Sequence, residues 1–192
     1  STLLASSAAS DVYKRQVRHE SPEQERELCF TLLSQCEDRY EEAFARTYLA
    51  DALSSMGLLD SAIQECKKAL DITLRNNYEE LSLTLYNLIG IIYTYTDDEQ
   101  GALDYYFKGI KLATRMNDNM MCGALFANIA FLYRKFQAYD KAIETLRMAY
   151  DIVQKASENK MRVAFNDYVY SRELAGIELQ RCLLYTSPSP RD

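Results

Sequence analysis

Few side chains in this sequence have the type and spacing that chemistry requires. His19 is the one histidine, and a histidine-based triad or a zinc site needs partners that its neighbourhood lacks. It reads as a solvated linker residue. Cys29, Cys36, Cys66 and Cys122 form no CxxC pair. Cys29 and Cys36 stand seven apart and could share one helix face, but a small buried thiol is the ordinary state of unpaired cysteine. The pattern points to a reducing compartment and hence to the cytoplasm. Asp97, Asp98 and Glu99 make an acidic cluster, without the glycine and distal glutamate of a calcium loop. Capping of a helix accounts for it better. Glycine-rich phosphate loops and nucleophile elbows are absent. The expectation is therefore no catalytic residue, no metal and no cofactor in this stretch of chain.

The elements that carry these residues must be helical. Only three prolines and six glycines punctuate 192 residues, and the prolines lie near the ends, so the long middle favours helices over a turn-rich β architecture. At 48% hydrophobic and 26% charged residues the composition is ordinary for a globular protein, and the length can bury a sizeable core. A formal charge of −6 argues against direct nucleic-acid binding, which needs a basic surface. No run of 18 apolar residues is present to span a membrane.

Both ends read as foreign. Ser6 to Gln16, SSAASDVYKRQ, resembles the translation of a transposase-type sequencing adaptor. Ser1 to Ala5 would be its outer arm and index, and Cys182 to Asp192, CLLYTSPSPRD, resembles the opposite adaptor read through. Residues 1–16 and 182–192 are accordingly set aside. Native protein is expected from Val17 to Arg181, as a metagenomic fragment of a longer chain.

Within that span the sequence repeats every 40 residues. Small residues recur as Ala62, Ala102, Ala142; as Ala50, Gly90, Ala130; and as Ala69, Gly109, Ala149. Larger apolar residues keep the interval: Leu49, Ile89, Ile129; Leu53, Tyr93, Tyr133; Ile63, Leu103, Ile143; Ile72, Leu112, Ile152. A small side chain lets a neighbouring helix approach while the larger ones fill the groove beside it. Each unit thus reads as two antiparallel helices. Turns are expected at Gly57, Thr96-Asp97-Asp98 and Gln137-Ala138, with Asp60, Asp98 and Asp140 capping the second helices. Asn76-Asn77, Asn117-Asp118 and Ser157-Glu158-Asn159 separate the units. Tyr86, Tyr93, Tyr106 and Tyr133 fall in core columns.

These units resemble tetratricopeptide repeats in a longer form. Tyr86-Asn87-Leu88-Ile89-Gly90-Ile91-Ile92-Tyr93 and Phe126-Ala127-Asn128-Ile129-Ala130-Phe131-Leu132-Tyr133 are similar to the family's first-helix signature. Gly101-Ala102-Leu103-Asp104-Tyr105-Tyr106 and Tyr139-Asp140-Lys141-Ala142-Ile143 are similar to its second. The first unit departs from the pattern, with Arg46 where an aromatic is usual and Leu53 in place of the tyrosine. The domain expectation is the end of a truncated upstream repeat over 17–38, then repeats at 39–78, 79–118 and 119–158. Residues 159–181 read as a partial repeat, a capping helix or a linker.

The resemblance implies an all-α solenoid of about eight helices whose first helices line a concave groove. Groove positions would be Tyr48, Asp51, Asn87, Ile91, Thr94, Tyr95, Asn128, Phe131, Arg134 and Lys135, and their occupant a protein or peptide ligand. It further implies a sensory or interaction module of a bacterial signalling protein, next to an output domain, with a diguanylate cyclase favoured. The alternatives are a stand-alone repeat scaffold, or the leading part of an enzyme whose active site lies beyond Arg181.

Overall fold

Five helix ends in this chain each carry one left-handed residue, at intervals of twenty positions. Gly57, Asn77, Asp97, Asn117 and Gln137 have φ of 77°, 57°, 61°, 55° and 60°. At each, the next residue's N–H donates to a carbonyl five positions back: Leu58 to Leu53, Tyr78 to Thr73, Asp98 to Tyr93, Asp118 to Ala113 and Ala138 to Tyr133, all at 2.8–3.0 Å. That bond ends a helix by satisfying one of its last carbonyls. Glycine accepts the left-handed region without cost, and asparagine or aspartate with little. Gln137 has neither advantage. Gln137→Gly should relieve about 1–2 kcal/mol of backbone strain against about 0.4–1 kcal/mol of added freedom in the unfolded chain. A net gain of about 0.5–1 kcal/mol is expected in urea denaturation; a loss would mean that the glutamine side chain outweighs its backbone cost.

The computed structural model describes residues 21–156 and 160–186. His19, residues 1–16, the 157–159 separator and the last six residues lie outside the described residues. The described residues form eight α-helices: α1 (Pro22–Gln35), α2 (Arg39–Ser55), α3 (Leu59–Asn76), α4 (Glu79–Tyr95), α5 (Glu99–Arg115), α6 (Asn119–Lys135), α7 (Tyr139–Ala156) and α8 (Lys160–Thr186). The architecture is all-α, built from helical hairpins. First helices begin at Arg39, Glu79 and Asn119, and second helices at Leu59, Glu99 and Tyr139, so both sets keep the 40-residue interval.

Two of the three expected caps fall elsewhere, while Asp98 stands directly before Glu99, the first residue of α5. Asp60 and Asp140 lie inside the first turns of α3 and α7, where their charge complements the helix dipole but fills no cap position. Capping aspartates instead precede first helices. Asp38 accepts from the Glu41 N–H at 2.8 Å, and Asp118 from the Met121 N–H at 2.9 Å. Ser21 and Gln24 start α1 with a reciprocal capping box, followed by Pro22.

Two compact units divide at Asp98 and Glu99. In the first, α1 packs on α2, α2 on α3, α3 on α4, and α4 returns to α2. Its core takes Ala50, Ala62 and Ala69 from the small-residue columns, and Leu49 and Ile89 are buried in it as well. A buried hydroxyl pair closes the α3–α4 junction, Ser82 donating to Thr73 at 2.8 Å and Thr73 in turn to the Leu70 carbonyl. Arg46, the departure from the aromatic pattern, ties the hairpin together by charge. It donates to Glu42 at 2.9 Å on its own helix and to Glu65 at 2.7 Å on α3. Partial burial works to raise the Glu42 pKa, but hydrogen bonds from Arg39 and Arg46 prevail and hold it below the usual carboxylate value.

In the second unit α5 packs on α6, α6 on α7 and α7 on α8. Gly123 lets α6 approach α7 so closely that a Cβ there would overlap Val153 and lie 3.3 Å from the Ala149 carbonyl. Ala130, Ala142, Leu146 and Ile177 form a buried cluster, surrounded by Tyr133, Tyr139, Ile143, Tyr170 and Leu174. α8, with 27 residues against 17 in α6, thus presents Tyr170, Leu174 and Ile177 as one stripe at helical spacing. That stripe packs on the α6–α7 hairpin. Cys182 to Thr186 continue the same helix.

Candidate functional site

The ten expected groove positions divide between the two units. On α2, Tyr48 is half-buried with its ring 4.5 Å from that of Phe44. Asp51, one turn on, is exposed at its surface while neighbouring protein atoms crowd it. That partial desolvation raises its carboxyl pKa. Behind it the Cys66 thiol is pushed up to about 12 by burial and then by the charges of Asp51 and Glu65, so it stays an inert neutral group. On α4, Asn87 and Ile91 are half-buried and Tyr95 is 58% exposed. Thr94 corrects the expectation: it is buried, and its hydroxyl donates to the Gly90 carbonyl at 2.9 Å on its own helix. A threonine so turned caps no ligand.

In the second unit three of the four expected groove positions come together. Phe131, Arg134 and Lys135 line a cleft of about 600 Å³, faced by Gln137 and Tyr139 at the head of α7 and by Gln180 on α8. Leu183 and Leu184 close its far side, and both fall in the 182–192 segment set aside above. Asn128 is half-buried on α6 and takes no part in the lining. The Arg134 guanidinium lies 5.0 Å from the Phe131 ring centroid, a cation–π contact that fixes its plane. One of its nitrogens reaches Glu173 on α8 at 3.3 Å. Sequence reasoning missed Glu173, Tyr139 and Gln180. A signal for the first existed: Glu173 continues the Leu53, Tyr93, Tyr133 column, where a carboxylate breaks an apolar series.

A second, nearly apolar trough of about 200 Å³ lies between α6, α7 and α8, floored by Gly123, Ala127 and Ala149 and walled by Val153, Val169 and Tyr170. At its rim Tyr150 donates to Asp167 at 2.6 Å and Gln154 donates to the same oxygen at 2.5 Å. The hydrogen bond to Asp167 raises the Tyr150 pKa. Among the described residues no group of three or more His, Cys, Asp or Glu side chains gathers as a metal site, and no helix is long and apolar enough to cross a membrane.

Residues 47–76, from the middle of α2 to the end of α3, match the family model described as tetratricopeptide repeat. Among solved structures, that of BtubC (BKLC) from P. vanneervenii is similar, with a TM-score of 0.60 and 18% identity over 97% of this chain and 82% of that one. The apo form of RapI is also similar, with a TM-score of 0.60 and 16% identity over 86% of this chain. The chain spans about half of RapI, 48% of its length. Identities this low establish a shared fold. No curated protein matches the sequence.

Proposed function

We propose that this chain is a protein- or peptide-binding scaffold. The observation that carries the reading is the cleft on the second unit. It joins a fixed guanidinium, an exposed lysine and two aromatic rings within one concavity. Such a mixture binds an extended chain by apolar anchors and charge-assisted hydrogen bonds, rather than transforming it. The forty-residue units support a wider reading, in which the scaffold is the sensory or interaction module of a bacterial, cytoplasmic signalling protein. Its binding state would then bias an output domain, with a diguanylate cyclase the favoured kind.

Panning a peptide display library on the whole chain tests the binding claim, with Arg134→Gln/Lys135→Gln as the comparison. Peptides selected by the unaltered chain should bind the double variant about tenfold or more weakly, since charge-assisted contacts are at stake. Its melting temperature should move by only a few degrees, because both side chains reach the surface. Equal binding by the two proteins would remove the cleft from the function.

A further inference from the structure

We infer that Glu173 is a resident carboxylate on the Arg134 site, and that an acidic peptide segment displaces it and thereby loosens α8. The inference rests on the cleft being the binding site. Glu173 is held from two sides. Arg172 approaches one carboxylate oxygen at 2.8 Å, and Arg134 the other at the longer distance of 3.3 Å. Glu173 can therefore leave Arg134 without becoming unpaired, and Arg134 keeps its orientation through the Phe131 ring. What remains is a guanidinium in place, beside the exposed Lys135, over a cleft with Phe131 and Tyr139 in its wall. The ligand that fits has a carboxylate side chain next to an apolar one. The carboxylate takes over from Glu173 and the apolar group lies on the rings.

The coupling to α8 follows from position. Glu173 immediately precedes Leu174 in the stripe that fixes α8 to the α6–α7 hairpin. Loss of its Arg134 contact weakens the local seating of the helix without releasing it, because Tyr170 and Ile177 still pack there. The pair is partly exposed, and partly exposed ion pairs of this kind correspond to roughly a two- to fivefold change in an equilibrium. Linkage requires the same factor in both directions.

The test uses the full chain and a fluorescein-labelled peptide of alternating glutamate and leucine, about ten residues long, with a glutamine-for-glutamate peptide as control. In fluorescence anisotropy, Glu173→Gln should bind the acidic peptide about two- to fivefold more tightly and the control peptide unchanged. Arg134→Gln should abolish the preference for the acidic peptide and also the effect of Glu173→Gln. Saturating acidic peptide should speed amide exchange of the unaltered chain around residues 170–180 by a similar factor, a readout that needs no variant. Unchanged or weaker binding by Glu173→Gln, or slowed exchange in α8, overturns displacement. If Arg134→Gln still weakens binding in that case, the binding site stands and only the displacement falls. Full acidic-peptide binding by Arg134→Gln refutes both. No binding of the acidic peptide by either the unaltered chain or Glu173→Gln refutes the ligand class.

Discussion

Ile177→Asp should detach α8 from the second unit. Ile177 is 2% exposed and meets Ala130, Ala142 and Leu146 in the buried cluster. Truncation of such a side chain to alanine alone costs about 2–5 kcal/mol. Aspartate adds a charge with no partner among those apolar neighbours, and a carboxylate in that setting regains water at almost any structural cost. The helix must move for that to happen. Hydrogen exchange read peptide by peptide is the measurement. Protection should collapse across the described part of α8 and fall less in α6 and α7. Leu179→Asp, two residues away and 61% exposed, should change stability by less than about 0.5 kcal/mol. Equal protection in Ile177→Asp and the unaltered chain would show that α8 is not held by this stripe.

Ala142→Leu should cost about 1–3 kcal/mol by overpacking. Ala142 has no exposed surface and sits in the same cluster, where Leu146 and Ile177 already fill the space around its methyl group. Helix propensity differs little between alanine and leucine, so the loss comes from packing alone. Ala62→Leu and Ala102→Leu test whether the column is one structural position. Both residues are likewise fully buried, and all three substitutions should fall in the same range in chemical denaturation. A neutral result at any one would mean that its crossing has room for three more carbons.

That column was legible because close packing leaves a trace at every repeat. Ala50, Ala62, Ala69, Ala102, Ala130, Ala142 and Ala149 are all buried, as their spacing required. Helix existence was equally readable, since no proline interrupts the middle. Pairings across helices were not. Arg46 reads as a flaw in the repeat until Glu65 arrives 19 residues later on the facing helix. Asp140 reads as a cap, but its partner Arg181 lies 41 positions on, at 3.0 Å. Side-chain charge carries no periodic signature, so only the fold reveals such partners. The site was half legible for the same reason. The resemblance pointed to Phe131, Arg134 and Lys135 as groove positions, while the other residues lining their cleft come from the turn before α7, from α7 and from α8, beyond the reach of a single-helix pattern. Thr94 shares the column of Arg134 and still turns inward to Gly90. Heptad or repeat position says which face a residue occupies, and a hydroxyl within reach of its own helix carbonyl follows a nearer partner.

The left-handed residues at Gly57, Asn77, Asp97, Asn117 and Gln137 have a consequence for how a gene of this kind can change length. At each of these helix ends one residue takes the left-handed conformation. Insertion or loss of a single codon within a helix turns everything beyond it by about 100°, which swings the alanine column away from its crossing and an apolar row into water. A substitution acts at its own position, whereas a small insertion or deletion shifts every residue that follows it in the helix. Growth or shrinkage of the array is tolerated only in whole hairpins, by duplication or excision of forty codons in register.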